Sequence, residues 1–261
     1  MKRKREVLLL IPSFLGFFIF FIIPFLYSFY YAFTRSAFDM TWAGFDNFKI
    51  LFGSEYFRLA LKNTIAFTII SVPLIMVLSV VISLLIVQFL FQTPLVKNAF
   101  FLPVLLPSAT IVMVWQAYFS NITPFASLLV MFLWKYMGLN IMLILTALAG
   151  VDKNMLEAAR IDGAGLLRLT WSVTLPNISP LLFFTFILSM VNSLKIYRES
   201  YLLWGTHPDT KVYMLQNYLN NHFAKLNYQN ISTAAILFFV VIYLIVAIVF
   251  RLEKKASEQI W

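Results

Sequence analysis

The residues able to do chemistry in this chain sit where ionic and polar groups are costly. Trp115, Gln116, Lys135, Asn140, Asn192, Lys195, Tyr197 and Glu199 all lie within or beside long apolar stretches. A charge in such a stretch is expensive in hydrocarbon and faces a cavity or a partner. Lys135 is about nine residues into its stretch, roughly 13 Å deep at the helical rise, and snorkelling recovers only part of that depth. Lys195 and Glu199 are four apart, so a continuous helix would let them pair on one face. Catalytic and metal chemistry finds no such footing. The chain has no cysteine, and its two histidines, His207 and His222, are too far apart for a His-based metal motif. No G-x-x-x-x-G-K-[ST] run occurs; Gly163-Ala164-Gly165 lacks both the spacing and the lysine. These absences point away from an enzyme.

The elements that must hold these residues follow from composition. Of 261 residues, 61% are hydrophobic and only 12% charged, too little polar surface for a soluble ball and too apolar for disorder. This is the composition of an integral membrane protein. The net charge of +9 does not indicate a nucleic-acid binder, because only the first six residues form a dense basic cluster. Six stretches reach the length of a spanning helix: 7–33, 63–91, 99–119, 125–150, 178–194 and 231–250. The first is too long and lacks the cleavage site of a signal peptide, so it reads as a retained span. Prolines at 12, 24, 73, 103 and 107 fall inside apolar stretches, and each is expected to loosen its helix.

Orientation follows from the basic residues. Lys2, Arg3, Lys4, Arg5, Lys97, Lys153, Arg160, Arg168, Arg251, Lys254 and Lys255 fall on one side, and Arg35, Lys49, Arg58, Lys62, Lys211 and Lys225 on the other. The richer side is cytoplasmic, which places both termini inside.

The loop between the fourth and fifth stretches carries the most information. From Asp152 to Pro180 it reads D-K-N-M-L-E-A-A-R-I-D-G-A-G-L-L-R-L-T-W-S-V-T-L-P-N-I-S-P. Asp152 suits an N-cap, the residues from Met155 to Asp162 are mostly good helix formers, and Gly163 supplies a stop. A second short helix is expected up to Pro176. The small face of Ala158 and Ala159, flanked by Glu157 and Arg160, would fit a cleft in another subunit; an ordinary interfacial loop helix has the same pattern.

Here the residues resemble a known family. Glu157-Ala158-Ala159, Asp162-Gly163-Ala164 and Leu175-Pro176 with Pro180 look like the conserved cytoplasmic loop of the permease subunits of binding-protein-dependent ABC importers. They are most similar to the maltose, glycerol-3-phosphate and multiple-sugar group. Trp134-Lys135 with Gly138 and Asn140, Leu148-Ala149-Gly150, the opening Pro12 and Phe21–Tyr27 region, and Trp42-Gly44-Phe45-Asn47-Phe48 extend the resemblance over nearly the whole chain. Departures are a short link at 120–124, Trp171 and Val173 in place of Phe and Ile, and the charged segment Lys195–Ser200.

The resemblance implies an all-α membrane protein of six transmembrane helices, with the ABC importer permease fold of the maltose-transporter type and a single permease domain over 1–261. It implies that loop 152–176 is a coupling loop, in which Glu157, Ala158, Ala159, Arg160, Asp162, Gly163 and Ala164 make or shape the contact with an ATPase subunit. The partners implied are a second permease, two ATP-binding subunits that use ATP and Mg, and an external solute-binding protein, all at a bacterial or archaeal cytoplasmic membrane. The chain itself would bind no cofactor.

Sugar sites need aromatic platforms and hydroxyl partners, which Trp115, Tyr197 and Asn192 could supply, although the same residue types also make interhelical hydrogen bonds. Lys135 and Lys195 would suit an anionic sugar, or equally a pairing with Glu or with the partner subunit. A gradient-driven transporter would need intramembrane carboxylates and repeats, and only Glu199 qualifies. A membrane-embedded protease would need paired Asp, a Ser-His set or a zinc motif within spans, and none appears. Within the importer class a non-sugar solute is the other possibility.

Overall fold

A computed structural model of the chain describes residues 2–36, 40–88, 94–118 and 122–258. The described residues are almost entirely helical; among them the sole strand-like pairing is an isolated bridge between Thr34 and Trp42. In chain order the helices are α1 (Lys2–Phe17), α2 (Ile23–Ala32), α3 (Asp46–Gly53), α4 (Glu55–Gln88), α5 (Pro94–Leu105), α6 (Ser108–Gln116) and α7 (Pro124–Ala149). They continue with α8 (Lys153–Ile161), α9 (Leu166–Leu169), α10 (Leu175–Asn177), α11 (Ser179–Lys195), α12 (Tyr197–Trp204), α13 (Leu215–Ala224) and α14 (Tyr228–Glu258).

Among the described residues, five helical segments are long and apolar enough to cross a membrane: Leu10–Ala32, Glu55–Gln88, Pro124–Ala149, Ser179–Trp204 and Tyr228–Arg251. The expected third span is not one straight helix. Asn98–Leu105 and Ser108–Gln116 meet at 104°, so α5 and α6 form a broken span or a re-entrant pair. The helix around the second expected span starts earlier, at Glu55, because the polar turn Glu55–Lys62 is itself good helix sequence. The end of that expected span (89–91), Phe119, and Ser120 and Asn121 of the short link lie outside the described residues.

Only one proline site produces the sharp break the sequence suggests. Pro107 takes an extended ψ of 142° and becomes the N-cap of α6, which disrupts the ladder. Elsewhere the helix absorbs proline. A π turn over Phe18–Ile22 lets Ile23 N–H donate to the Phe18 carbonyl just before Pro24. A second, Thr170–Thr174, does the same for Leu175 before Pro176. One residue of extra winding skips the hydrogen bond that proline cannot donate. For the same reason Pro176 does not end the second loop helix, which runs on to Asn177.

The chain packs as two compact units, Met1–Arg58 with Tyr218–Tyr243, and Leu59–Asn217 with Leu244–Trp261. In the first, α2 and α14 meet through Phe25 and Phe239, with ring centroids 5.2 Å apart. Asn47 fastens the segment after α2 by donating to the carbonyls of Ala32 (2.9 Å) and Thr34 (2.8 Å). The exposed apolar side chains along α1 and α2 give this span a lipid-facing character.

In the second unit the core gathers Phe67, Ile75, Leu128, Phe132 and Tyr136, with Ile196, Val212 and Met214. The segment before α13 is strapped to α4: Asn63 Nδ2 donates to the carbonyls of Thr210 (2.6 Å) and Tyr213 (3.0 Å), and Leu215 N–H donates to Thr64 Oγ1 (2.9 Å). Small residues allow the helices to close up. Thr68 and Ser193 share a hydrogen bond of 3.0 Å between α4 and α11. At Gly138 on α7, an added Cβ would fall 1.6 Å from the Phe100 carbonyl oxygen of α5. Packing without a strong solvent driving force depends on such close approaches.

Candidate functional site

Two features of the second unit hold most of the residues singled out from the sequence. The first is a buried ionic cluster. Lys135 Nζ, on α7, lies 2.6 Å from Glu199 Oε1 on α12. Ser108, the first residue of α6, accepts from Lys135 Nζ at 3.0 Å and donates to Glu199 Oε1 at 2.7 Å. Lys135 Nζ also stands 5.1 Å from the Tyr136 ring centroid, within cation–π range. Glu199 is 0% exposed and Lys135 8%, so the pair is sheltered from water and screened little by salt. The expected Lys195–Glu199 pair is not formed. The helix is interrupted at Ile196 (φ −61°, ψ −12°), which turns Glu199 inward to Lys135 and leaves Lys195 exposed.

The break after Pro107 creates this cluster, because it brings the start of α6 to α12. Sequence reading missed Ser108, whose only local signal was its place directly after that proline. The remaining pathway candidates are spread out. Asn140 is fully buried and donates to Ser189 Oγ at 2.7 Å, joining α7 to α11. Asn192 is buried on α11. Trp115 packs edge-on against Trp134, with centroids 5.6 Å apart, while Gln116 is exposed at the end of α6. Tyr197 is half-buried, its ring 5.7 Å from that of Tyr201. The polar residues thus divide into interhelical ties (Lys135, Asn140, Glu199) and a group around the break, the exposed Lys195 and the half-buried Tyr197.

The second feature is the loop from Asp152. Asp152 caps α8 by accepting from Asn154 N–H at 2.9 Å, offsetting one of the unpaired donors at a helix start. The other end is a complete Schellman closure. Gly163, at φ +80°, donates to the Arg160 carbonyl, and Ala164 donates to that of Ala159, both at 3.0 Å. The half-buried side of α8, Leu156 and Ala159, lies toward the π turn, and Asn177 Nδ2 contacts Met155 Sδ at 3.3 Å. The other side presents Glu157, Ala158, Arg160 and Asp162 to the outside, and Gly163 is exposed beside them. Around them Ile161 is 86% exposed, Leu167 76% and Trp171 70%. This is a short helix with both ends fixed, ringed by uncovered apolar side chains.

The described residues form a nearly all-helical set with membrane-length helices and one sharply bent pair, the build of an integral membrane protein, and the fold is that of ABC importer permeases. A chain of the bacterial ABC transporter that imports the acidic polysaccharide alginate superposes with a TM-score of 0.81 at 22% identity, over 97% of this chain and 96% of that one. The model of the family described as binding-protein-dependent transport system inner membrane component matches residues 93–256, and the chain belongs to that family.

Two relatives share most of its length. The arabinooligosaccharides transport system permease protein AraP of Bacillus subtilis (strain 168) is 25% identical over 278 residues, covering 95% of this chain and 88% of that protein. The multiple sugar-binding transport system permease protein MsmF of Streptococcus mutans is 24% identical over 264 residues, covering 91% of each.

Proposed function

We propose that this chain is one permease subunit of an ATP-driven importer for a sugar or oligosaccharide. With a second permease it forms the translocation pathway, and it is driven through loop 152–176 by cytoplasmic ATPase subunits that bind ATP and Mg. An external solute-binding protein delivers the cargo, and both termini are cytoplasmic. The names of the relatives, which carry arabinooligosaccharides and multiple sugars, support the cargo class.

The observation that carries the coupling role is the construction of α8. A lever must be rigid and must have something to push against. The Asp152 cap and the Schellman closure supply the rigidity. The exposed Ile161, Leu167 and Trp171 around the small, charged side of the helix offer the apolar anchors of a protein interface. Glu157 and Arg160 fix register by charge. ATP-driven closure of the ATPase pair would move this helix, and only contacts that differ between the two states of the bundle can transmit that work. A gradient-driven mechanism has less to use, because Glu199, its one intramembrane carboxylate, is already engaged by Lys135 and Ser108.

The test is saccharide-stimulated ATPase activity of the purified complex, with Gly163→Pro as the variant. Proline holds φ near about −65°, whereas Gly163 needs +80° and its N–H is used in the closure. The variant complex should assemble and lose at least about tenfold in stimulation, a cost within the range for an incompatible backbone. Stimulation that survives the substitution, or a chain that purifies with no ATPase, would refute the coupling role.

A further inference from the structure

We propose that the exposed stripe of Lys195, Arg198 and Tyr201, with Tyr197 beside it, is a pathway-facing surface that binds an anionic saccharide. The proposal rests on the permease reading above and narrows its cargo class.

The argument starts from charge balance. Within the candidate spans among the described residues the only acidic residues are Glu55, in the first turn of its helix, and Glu199. Glu199 is neutralised inside the chain by Lys135. Lys195 and Arg198 therefore remain as cations without a carboxylate partner among the described residues, in the same candidate span, Ser179–Trp204.

Burial says which way they face. Asn192, Ser193, Ile196, Glu199 and Ser200 are buried, whereas Lys195, Arg198 and Tyr201 are exposed at successive spacings of three. The span thus presents to the outside of the chain the side that carries its two cations. That side is unsuited to hydrocarbon, where a cation inside a span is unfavourable unless it faces a cavity or a partner. The interruption at Ile196 falls at the same place, and interrupted backbone at membrane depth is tolerated where it is covered by protein or lines water.

The chemistry of the stripe then selects its ligand. Arg198 offers a planar fork that matches a carboxylate or phosphate, and Lys195 a mobile point charge. Tyr197 and Tyr201, with centroids 5.7 Å apart, present aromatic faces with polar edges, suited to a ring that is apolar on one face and hydroxylated at its rim. A neutral sugar would leave the two cations unanswered, whereas an acidic one answers them.

The experiment uses the assembled importer containing this chain, in detergent for direct binding and in liposomes with its binding protein for uptake. The probes are uronate oligosaccharides and a sugar phosphate, each beside its uncharged counterpart. The charged probes should bind the wild-type complex at least about tenfold more tightly, the scale of one charge-assisted hydrogen bond. Lys195→Gln and Arg198→Gln should each erase most of that difference without altering binding of the uncharged probes, while Lys195→Arg and Arg198→Lys retain most of it. Equal binding of charged and uncharged sugars would overturn the anionic assignment and leave the saccharide reading standing. An assembled complex that neither binds nor takes up any saccharide would overturn that reading as well. If the Gln variants fail to assemble with the second permease while the charge-preserving ones assemble, the two cations belong to the subunit interface and the proposal falls.

Discussion

Gly138→Ala is the smallest substitution with a large calculable consequence. Gly138 lies where α7 crosses α5, and its missing side chain is filled by backbone: an alanine Cβ would sit 1.6 Å from the Phe100 oxygen and 2.5 Å from the Phe100 carbon. A carbon and a carbonyl oxygen approach to about 3.3 Å at closest, so α5 would have to withdraw by roughly 1.7 Å. Backbone cannot rotate away as a flexible side chain can. Overpacking of this kind costs about 1–3 kcal/mol and sometimes more, and the upper end applies here, about 3 kcal/mol or a factor of roughly 150 in the folding equilibrium. The displacement should also travel. The α5–α6 connection carries Ser108, whose 3.0 Å contact with Lys135 would lengthen. The assay is thermal unfolding of the purified complex followed by tryptophan fluorescence. Gly16→Ala serves as the control, since a Cβ at Gly16 meets nothing within 4 Å. Gly138→Ala should unfold at clearly lower temperature than wild type, and Gly16→Ala at or above it. If Gly138→Ala unfolded with wild type, the close crossing of α5 and α7 would be wrong.

Three other outcomes follow from the same geometry. Lys135→Met alone strands a buried carboxylate and should cost about 3–5 kcal/mol. Lys135→Met with Glu199→Met should recover most of that loss, and a double-mutant cycle of unfolding temperatures would expose independence of the two sites if it exists. Asp152→Ala removes the cap of α8 and should cost about 1 kcal/mol of local helix stability, read as faster amide exchange over 153–157 with unchanged exchange in α7. His222 is held below its ordinary pKa by burial and then by Lys225. The folded state therefore prefers the neutral ring. Its contribution is complete above about pH 6.5 and is lost as pH falls through the lowered folded value, so acidification should lower the unfolding temperature of wild type more than that of His222→Gln. An identical pH response in the two proteins would remove His222 from the explanation.

The loop was the most legible part of the molecule because its determinants are local. An N-cap aspartate, a run of helix formers and a glycine stop act within a dozen residues, and α8 begins and ends where they dictate. The apolar stretches were legible for the same reason, since hydrocarbon selects by composition and length. Chain-local rules failed where distant segments compete. Lys195 and Glu199 have the spacing of a helical pair, yet Lys135 takes the carboxylate from 64 residues away. Pro24, Pro107 and Pro176 look alike in sequence; two are absorbed by π turns and one produces a 104° bend.

Composition and spacing by themselves therefore determined that the chain lives in a membrane, how many apolar stretches it offers, and where its capped loop helix lies. Each depends on solvent preference or on hydrogen bonds within a turn or two. Tertiary structure alone decided which proline breaks, which cation is spent on Glu199, and which cations are left facing outward. An ion pair inside a bundle forms only when helices from separate parts of the chain come within hydrogen-bonding distance, and which groups meet there depends on how those helices pack.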